Sequence, residues 1–297
     1  MRIRATVAAV SGALALSAFA VPAAQADDSG SAYRADVAKA RAALGTRADA
    51  PYDLDVTFSD FKVAKAIKVG TTAHVASTVT YTMTHGADVD IKAEDFLTGP
   101  YLYKGAYDAP DNMLFGTNPA TCTSTSATTA TCTGKIDVYP GEGELVNSDA
   151  GTWKGGALAL AQNGQDPESE NYDITKVGYA DKGDLGSTVL KRAAKLTVNA
   201  SPEPVKKGAT LTVTGKLTRA NWETEKYVGL PSGQKVVLQF RKAGTTAYTN
   251  VKGIQTAEGG ALKTTVTASE DGYYRFTYAG ITSTAAVSAK GDLVDVQ

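Results

Sequence analysis

From residue 52 onward the chain alternates apolar and polar side chains with a period of two. Leu54, Val56 and Phe58 alternate with polar neighbours, and further on Val75, Ser77, Val79, Tyr81 and Met83 share one face while Thr78, Thr80, Thr82 and Thr84 share the other. Such alternation marks antiparallel strands with one buried and one wet face. More strands are expected at 88–93, 120–125, 129–138, 157–161 and 187–191, with the longest loop over about 163–186.

A second run of short strands begins near Lys195. After 196–198, Pro202 and Pro204 interrupt pairing as at an edge strand or a domain junction. Strands then follow at 210–217, 234–241, 247–252, 261–268, 273–278 and 282–288, with Glu258-Gly259-Gly260 and Asp271-Gly272 as turn signals between them. Seven short strands in roughly a hundred residues is the spacing of an immunoglobulin-like sandwich. Within 273–278, Tyr274, Phe276 and Tyr278 are expected in the core, with Tyr273 and Arg275 facing solvent. The expected fold class is all-β, with two antiparallel Ig-like β-sandwich domains in tandem at 51–194 and 195–297.

The chain before these strands has a different texture. Arg2 and Arg4, an apolar run over 5–20 and the small-x-small pattern Ala24-Gln25-Ala26 read as a signal peptide over 1–26, cleaved after Ala26. Asp27, not a lipid-accepting Cys, follows that site, and 291–297 has neither a hydrophobic tail nor a basic end, so a secreted, extracellular product without membrane anchor is expected. In the segment 27–50, Tyr33, Val37, Ala40 and Leu44 fall on one helical face. That stripe is thin, so the segment reads as a leader with one short helix, flexible unless the next domain holds it.

Charge and composition narrow the function. Among 297 residues, 30 Lys and Arg oppose 31 Asp and Glu, a formal net charge of −1. The cationic footprint of a nucleic-acid binder is missing, so no nucleic-acid partner is expected. Cys122 and Cys132, the two cysteines, flank a small polar centre in a Thr-rich run. They read as a disulfide across a β-hairpin, which fits an oxidising compartment and contributes about 2–3 kcal/mol in a chain-entropy account.

The chemistry-bearing motifs are few. His74 and His85 lack a partner motif, and the chain has neither a G-x-S-x-G elbow nor a phosphate loop. No catalytic residue is expected. Acid-rich loops place Asp88 and Asp90, and separately Asp166, Glu168, Glu170 and Asp173, within short reach, which makes them candidate calcium ligands although none follows the EF-hand spacing. Calcium is the one cofactor these loops suggest; solvated acid loops are the alternative. Tyr101, Tyr103, Trp153, Trp222 and Tyr227 fall in expected loops or strand ends, where exposed rings stack on sugars or on a partner protein. The alternative is that these rings cap the sandwich cores.

The segments 213–218, 237–241 and 271–276, Val-Thr-Gly-Lys-Leu-Thr, Val-Leu-Gln-Phe-Arg and Asp-Gly-Tyr-Tyr-Arg-Phe, resemble the Ig-like modules of secreted proteins of Gram-positive bacteria. Val79-Thr80-Tyr81-Thr82 and the Thr-flanked Cys pair are similar to repeat domains of bacterial surface proteins that carry a cysteine-bridged hairpin. The resemblance implies spacers, adhesion units or ligand-binding modules without an assigned activity. The expectation is therefore a secreted, non-enzymatic binding or structural module acting at the cell surface or in the medium, with a cell-surface glycan or protein as partner. The alternatives are an extracellular hydrolase with an acidic site in the N-terminal domain and a secreted protease inhibitor presenting a long loop.

Overall fold

The computed structural model describes residues 28–44 and 50–297; the expected signal segment, 1–26, lies outside them. The first domain holds β1 (Tyr52–Asp53), β2 (Val56–Lys62), β3 (Ala66–Val69), β4 (Val75–His85), β5 (Phe96–Gly105), β6 (Pro110–Phe115), β7 (Thr121–Ser124), β8 (Thr129–Val138), β9 (Gly151–Ala161) and β10 (Gly178–Arg192). A four-stranded sheet ordered β2-β4-β8-β7 faces a second ordered β1-β10-β9-β5-β6, with β3 also paired to β10. β1 and β3 run parallel to β10; every other pairing in the domain is antiparallel. The alternation seen in the sequence fills the space between the sheets, where Val79, Tyr81 and Met83 from β4 meet Ile136, Leu102, Trp153 and Leu190. The Trp153 indole keeps its N–H satisfied by donating to the Asp149 carbonyl at 2.8 Å.

Cys122 and Cys132 stand directly opposite each other in β7 and β8, and their sulfurs are bonded. Their side chains belong to the core layer while Thr121, Thr123, Thr131 and Thr133 point into solvent.

Three expectations for this domain need correction. Residues 88–93 form turns, not a strand, because the Asp90 carboxylate accepts the Lys92 amide at 2.9 Å and bends the chain. β10 starts at Gly178, not near Ser187. Gly178, Gly183 and Gly186 look like loop residues, yet each leaves room for a ring: a Cβ would meet Tyr52 and Leu54, Tyr107, and Phe61 respectively. β5 and β6 escape notice because β5 is buried on both faces, which erases its period of two.

What buries the outer face of β5 is the segment expected to be a flexible leader. α1 (Asp28–Ala43) lies against that sheet, with Tyr33, Val37 and Ala40 at 3%, 1% and 0% exposure among Tyr101, Tyr103, Leu158, Leu160 and Tyr179. Leu44, the fourth residue of the stripe, is exposed. The stripe is thin, but an aromatic sheet face receives it: Gly99 makes the hollow for Tyr33, since a Cβ there would stand 1.9 Å from the Tyr33 hydroxyl. Polar ties surround this contact. Arg34 pairs with Glu144 at 2.8 Å and donates to the Phe115 carbonyl at 3.1 Å, and the Lys39 ammonium lies 3.9 Å from the Tyr172 ring centre.

The second domain comprises β11 (Ala194–Leu196), β12 (Asn199–Ser201), β13 (Thr210–Asn221), β14 (Lys226–Gly229), β15 (Lys235–Lys242), β16 (Thr249–Gln255), β17 (Ala261–Thr267), β18 (Gly272–Tyr278), β19 (Val287–Ser288) and β20 (Asp292–Val294). β13 pairs with β11, β12, β14 and β17, and the facing sheet is ordered β16-β15-β18-β19 with β20 also on β18. This is a two-layer sandwich with Tyr274, Phe276 and Tyr278 in its core. The strand expected over 282–288 shrinks to β19.

The two sandwiches share a seam. Ala220 and Trp222, at the end of β13, join the core of the first domain, with Trp222 1% exposed. Its indole N–H donates to the Gly70 carbonyl at 2.9 Å, and its amide to the Asn147 side-chain oxygen at 3.1 Å. Among the described residues no helix is long and apolar enough to cross a membrane.

Candidate functional site

The outer face of the β16-β15-β18 sheet carries the most distinctive surface chemistry in the molecule. Strand periodicity sends Gln239 and Arg241 of β15 and Tyr273 and Arg275 of β18 outward, and the register sets Gln239 opposite Arg275 and Arg241 opposite Tyr273. Tyr248, just before β16, enters the same face. The Arg241 guanidinium lies 4.0 Å from the Tyr273 ring centre and 5.3 Å from that of Tyr248, while Arg275 lies 3.7 Å from Tyr248. Cations and rings therefore interleave across two strands and the loop before β16.

Hydrogen bonds hold this arrangement in place. The Arg275 Nε donates to Gln239 Oε1 at 2.9 Å, Gln239 Nε2 donates to Asn250 Oδ1 at 2.8 Å, and an Arg241 Nη donates to the Thr245 carbonyl. All four charged and aromatic residues are half-buried, and among the described residues neither arginine forms an ion pair. A guanidinium seated over a ring and fixed by a neighbour loses little freedom on binding, and its remaining N–H groups match carboxylate or sulfate oxygens. Of this cluster the sequence indicated only the outward side of Tyr273 and Arg275; the contribution of Arg241 and Tyr248 depends on strand register and a loop.

The expected stacking rings are elsewhere. Tyr101, Tyr103, Trp153 and Trp222 are all fully or almost fully buried, and Tyr227 is half-buried with the Lys195 ammonium 3.8 Å from its ring centre. Tyr101 and Trp153 stand on strands, not loops, and Trp222 sits in the domain seam, so these rings cap cores. Tyr101 and Tyr179 both donate to the Asp181 carboxylate, which also pairs with Arg41. Burial, reinforced by Asp181, pushes both phenols far above their usual range.

The acid residues divide between two places. Asp88 and Asp90 line a cleft of about 240 Å³ together with Asp53, Asp55 and Asp95. Asp55 and Asp88 come together over Gly86: a Cβ there would stand 2.6 Å from both Asp55 Oδ2 and Asp88 Oδ1. Asp166, Glu168, Glu170 and Asp173 lie on the loop before β10, where Asp166 accepts the Glu168 amide at 2.9 Å and Asp173 accepts the Thr175 hydroxyl at 2.6 Å. That hydroxyl holds the Asp173 carboxyl below its usual range. Asp90, Asp166 and Asp173 brace their own turns, and among the described residues no three His, Cys, Asp or Glu side chains converge as a metal site. The same loop is tied down by Asn163, which donates to the Lys176 carbonyl at 2.9 Å, and by Lys39, which reaches the Pro167 carbonyl.

The histidines have structural partners that the sequence did not reveal. His74 bonds Asp137 at 2.9 Å and stacks on Tyr139 with ring centres 4.4 Å apart, and Asp137 also accepts the Thr117 amide. His85 is buried and its Nδ1 lies 2.9 Å from the Gly86 carbonyl.

No protein-family model matches the chain, and no curated protein matches it. Solved structures to which it is similar include dimeric latent PorU from Porphyromonas gingivalis, at 11% identity and a TM-score of 0.26 over 82% of this chain and 20% of that one. The Yersinia pseudotuberculosis adhesin InvE is 12% identical with a TM-score of 0.24, over 79% of this chain and 58% of that one. The fibronectin(III)-like modules of Clostridium thermocellum CbhA are 12% identical with a TM-score of 0.27, over 81% of this chain and 92% of that one. The chain thus spans a fifth of PorU and little more than half of InvE. The architecture rests on the strand pairing, not on these superpositions.

Proposed function

We propose that the protein is a secreted, non-enzymatic binding module that presents the Arg241-Tyr273-Tyr248-Arg275 face to an acidic glycan at the cell surface or in the medium. The observation that carries this reading is the interleaving on one open sheet face of two tyrosines with two arginines that form no ion pair among the described residues. Guanidiniums supply planar donors for carboxylates, and rings supply apolar surface for the sugar. The Trp222 seam supports the reading by holding that face in a set relation to the first domain.

Polygalacturonate, with neutral dextran as control, tests it by calorimetric titration of the full chain. Saturable binding to the acidic polymer that weakens with salt and falls at least tenfold in Arg241→Ala/Arg275→Ala is expected. Equal binding of both polymers, or binding untouched by the double substitution, sinks the reading.

A second reading has one observation in its favour. Asp55 and Asp88 converge beside Gly86 in an acid-lined cleft, and paired carboxylates are what glycoside hydrolysis uses. On that reading the protein releases new reducing ends from the polymer and Asp55→Asn abolishes the release. On the binding reading no reducing ends appear and Asp55→Asn binds like the parent.

A further inference from the structure

The seam between the domains contains two arginines whose partners are incomplete. Arg192 ends β10 with 5% exposure, and its Nε donates to the Ala220 carbonyl at 2.5 Å. Arg219, on β13, donates from Nη1 to the hydroxyl of the fully buried Thr284 at 3.2 Å, while its buried Nε finds no acceptor among the described residues. The same short stretch holds the backbone of Arg192, whose N–H donates to the Ser283 carbonyl at 3.1 Å and whose carbonyl accepts the Ala285 N–H at 2.9 Å. The 283–285 stretch thus holds the backbone of Arg192 and, through the Thr284 hydroxyl, the side chain of Arg219, and Lys191 adds its ammonium to the Ile281 carbonyl nearby at 2.9 Å.

The two guanidiniums repel each other. Burial and the field of Arg219 pull the proton affinity of Arg192 down to about 10, against the opposing field of Glu223. Glu223 itself accepts a hydrogen bond from Asn147 Nδ2 at 2.7 Å. Arg192 is buried and Arg219 half-buried, so water screens their mutual repulsion only in part, and each has N–H groups to spare.

We propose that this seam binds a small tetrahedral oxyanion, sulfate or phosphate, between the guanidiniums of Arg192 and Arg219. The anion satisfies the spare donors of Arg192 and the Nε of Arg219, and it neutralises both cations at the point where the two sandwiches meet. Because Arg192 belongs to the first domain and Arg219 to the second, the anion acts as a clasp: it stabilises the docked arrangement over any other. The site is separate from the glycan-binding face, so each stands or falls alone.

Thermal unfolding of the full chain in chloride buffer, with sulfate or inorganic phosphate titrated in at constant ionic strength, tests the proposal. A saturable rise in Tm at millimolar anion is expected, and Arg219→Met, which keeps the apolar stem, should remove the saturable part. Arg241→Ala/Arg275→Ala should retain it in full. An equal Tm rise in the parent and Arg219→Met identifies a general salt effect and overturns the proposal. Should Arg219→Met fail to fold, calorimetric titration of the parent with phosphate decides: saturable heat supports the clasp, and its absence overturns it.

Discussion

Each sandwich has one sheet built around a central antiparallel pair, β9 with β5 in the first domain and β15 with β18 in the second, and the outer faces of these pairs have opposite fates. The first presents Leu158, Leu160, Tyr101 and Tyr103 and lies beneath α1; the second presents Arg241, Arg275, Gln239 and Tyr273 and is left open. The difference lies in what a sheet face demands. Four large apolar side chains in water are a costly patch, so the chain uses its own N-terminal helix to cover them. Arginines stacked on rings hide the apolar parts of both groups while keeping the charges wet.

The strongest way to break this comparison is to uncover the first face. Val37→Asp places a carboxylate in the centre of the helix contact and should lower stability in urea unfolding by about 3–5 kcal/mol, with new binding of a hydrophobic dye. Unchanged stability means that the helix contributes no cover. Next in size is the opposite sheet of the same domain, where Cys122→Ser/Cys132→Ser should cost about 2–3 kcal/mol and leave the helix contact intact. A loss of helix signal in that variant would link the two sheets more tightly than the packing implies.

Tyr33→Phe sharpens the point in the other direction. The Tyr33 hydroxyl is buried without a hydrogen-bond partner among the described residues, and burial drives its pKa far upward. Its removal should raise stability by about 1–2 kcal/mol, and a fall would reveal an acceptor for that hydroxyl. The smallest stability effect belongs to the open face, where Arg241→Ala/Arg275→Ala should change unfolding by about 1 kcal/mol or less. A larger loss would make that face structural.

What could be read from the chain follows from the same contrast. Wherever one face of a strand is wet, as in β4, β8 and β18, the period of two is visible and the core residues follow from it. Wherever both faces are covered, as in β5 with its inner face toward the core and its outer face toward α1, alternation vanishes and Tyr101 and Tyr103 pass for loop rings. Glycines mislead in a related way: in β10 they make space for rings, while in the sequence they fall within the expected loop over 163–186. The outward face of β18 was legible because it is local. Its partners Arg241 and Tyr248 come from another strand and a loop, and no local pattern carries that information.

The placement of Trp222 also bears on the order of assembly. A chain that emerges from its N-terminus delivers every strand of the first sandwich by Arg192, yet the indole that completes its core arrives thirty residues later, after β13. The first sandwich therefore waits, with Gly70 and Asn147 lacking their bonds to Trp222, until the beginning of the second has been made. A fragment cut at residue 194 would carry all the strands of a domain and still not be a finished one.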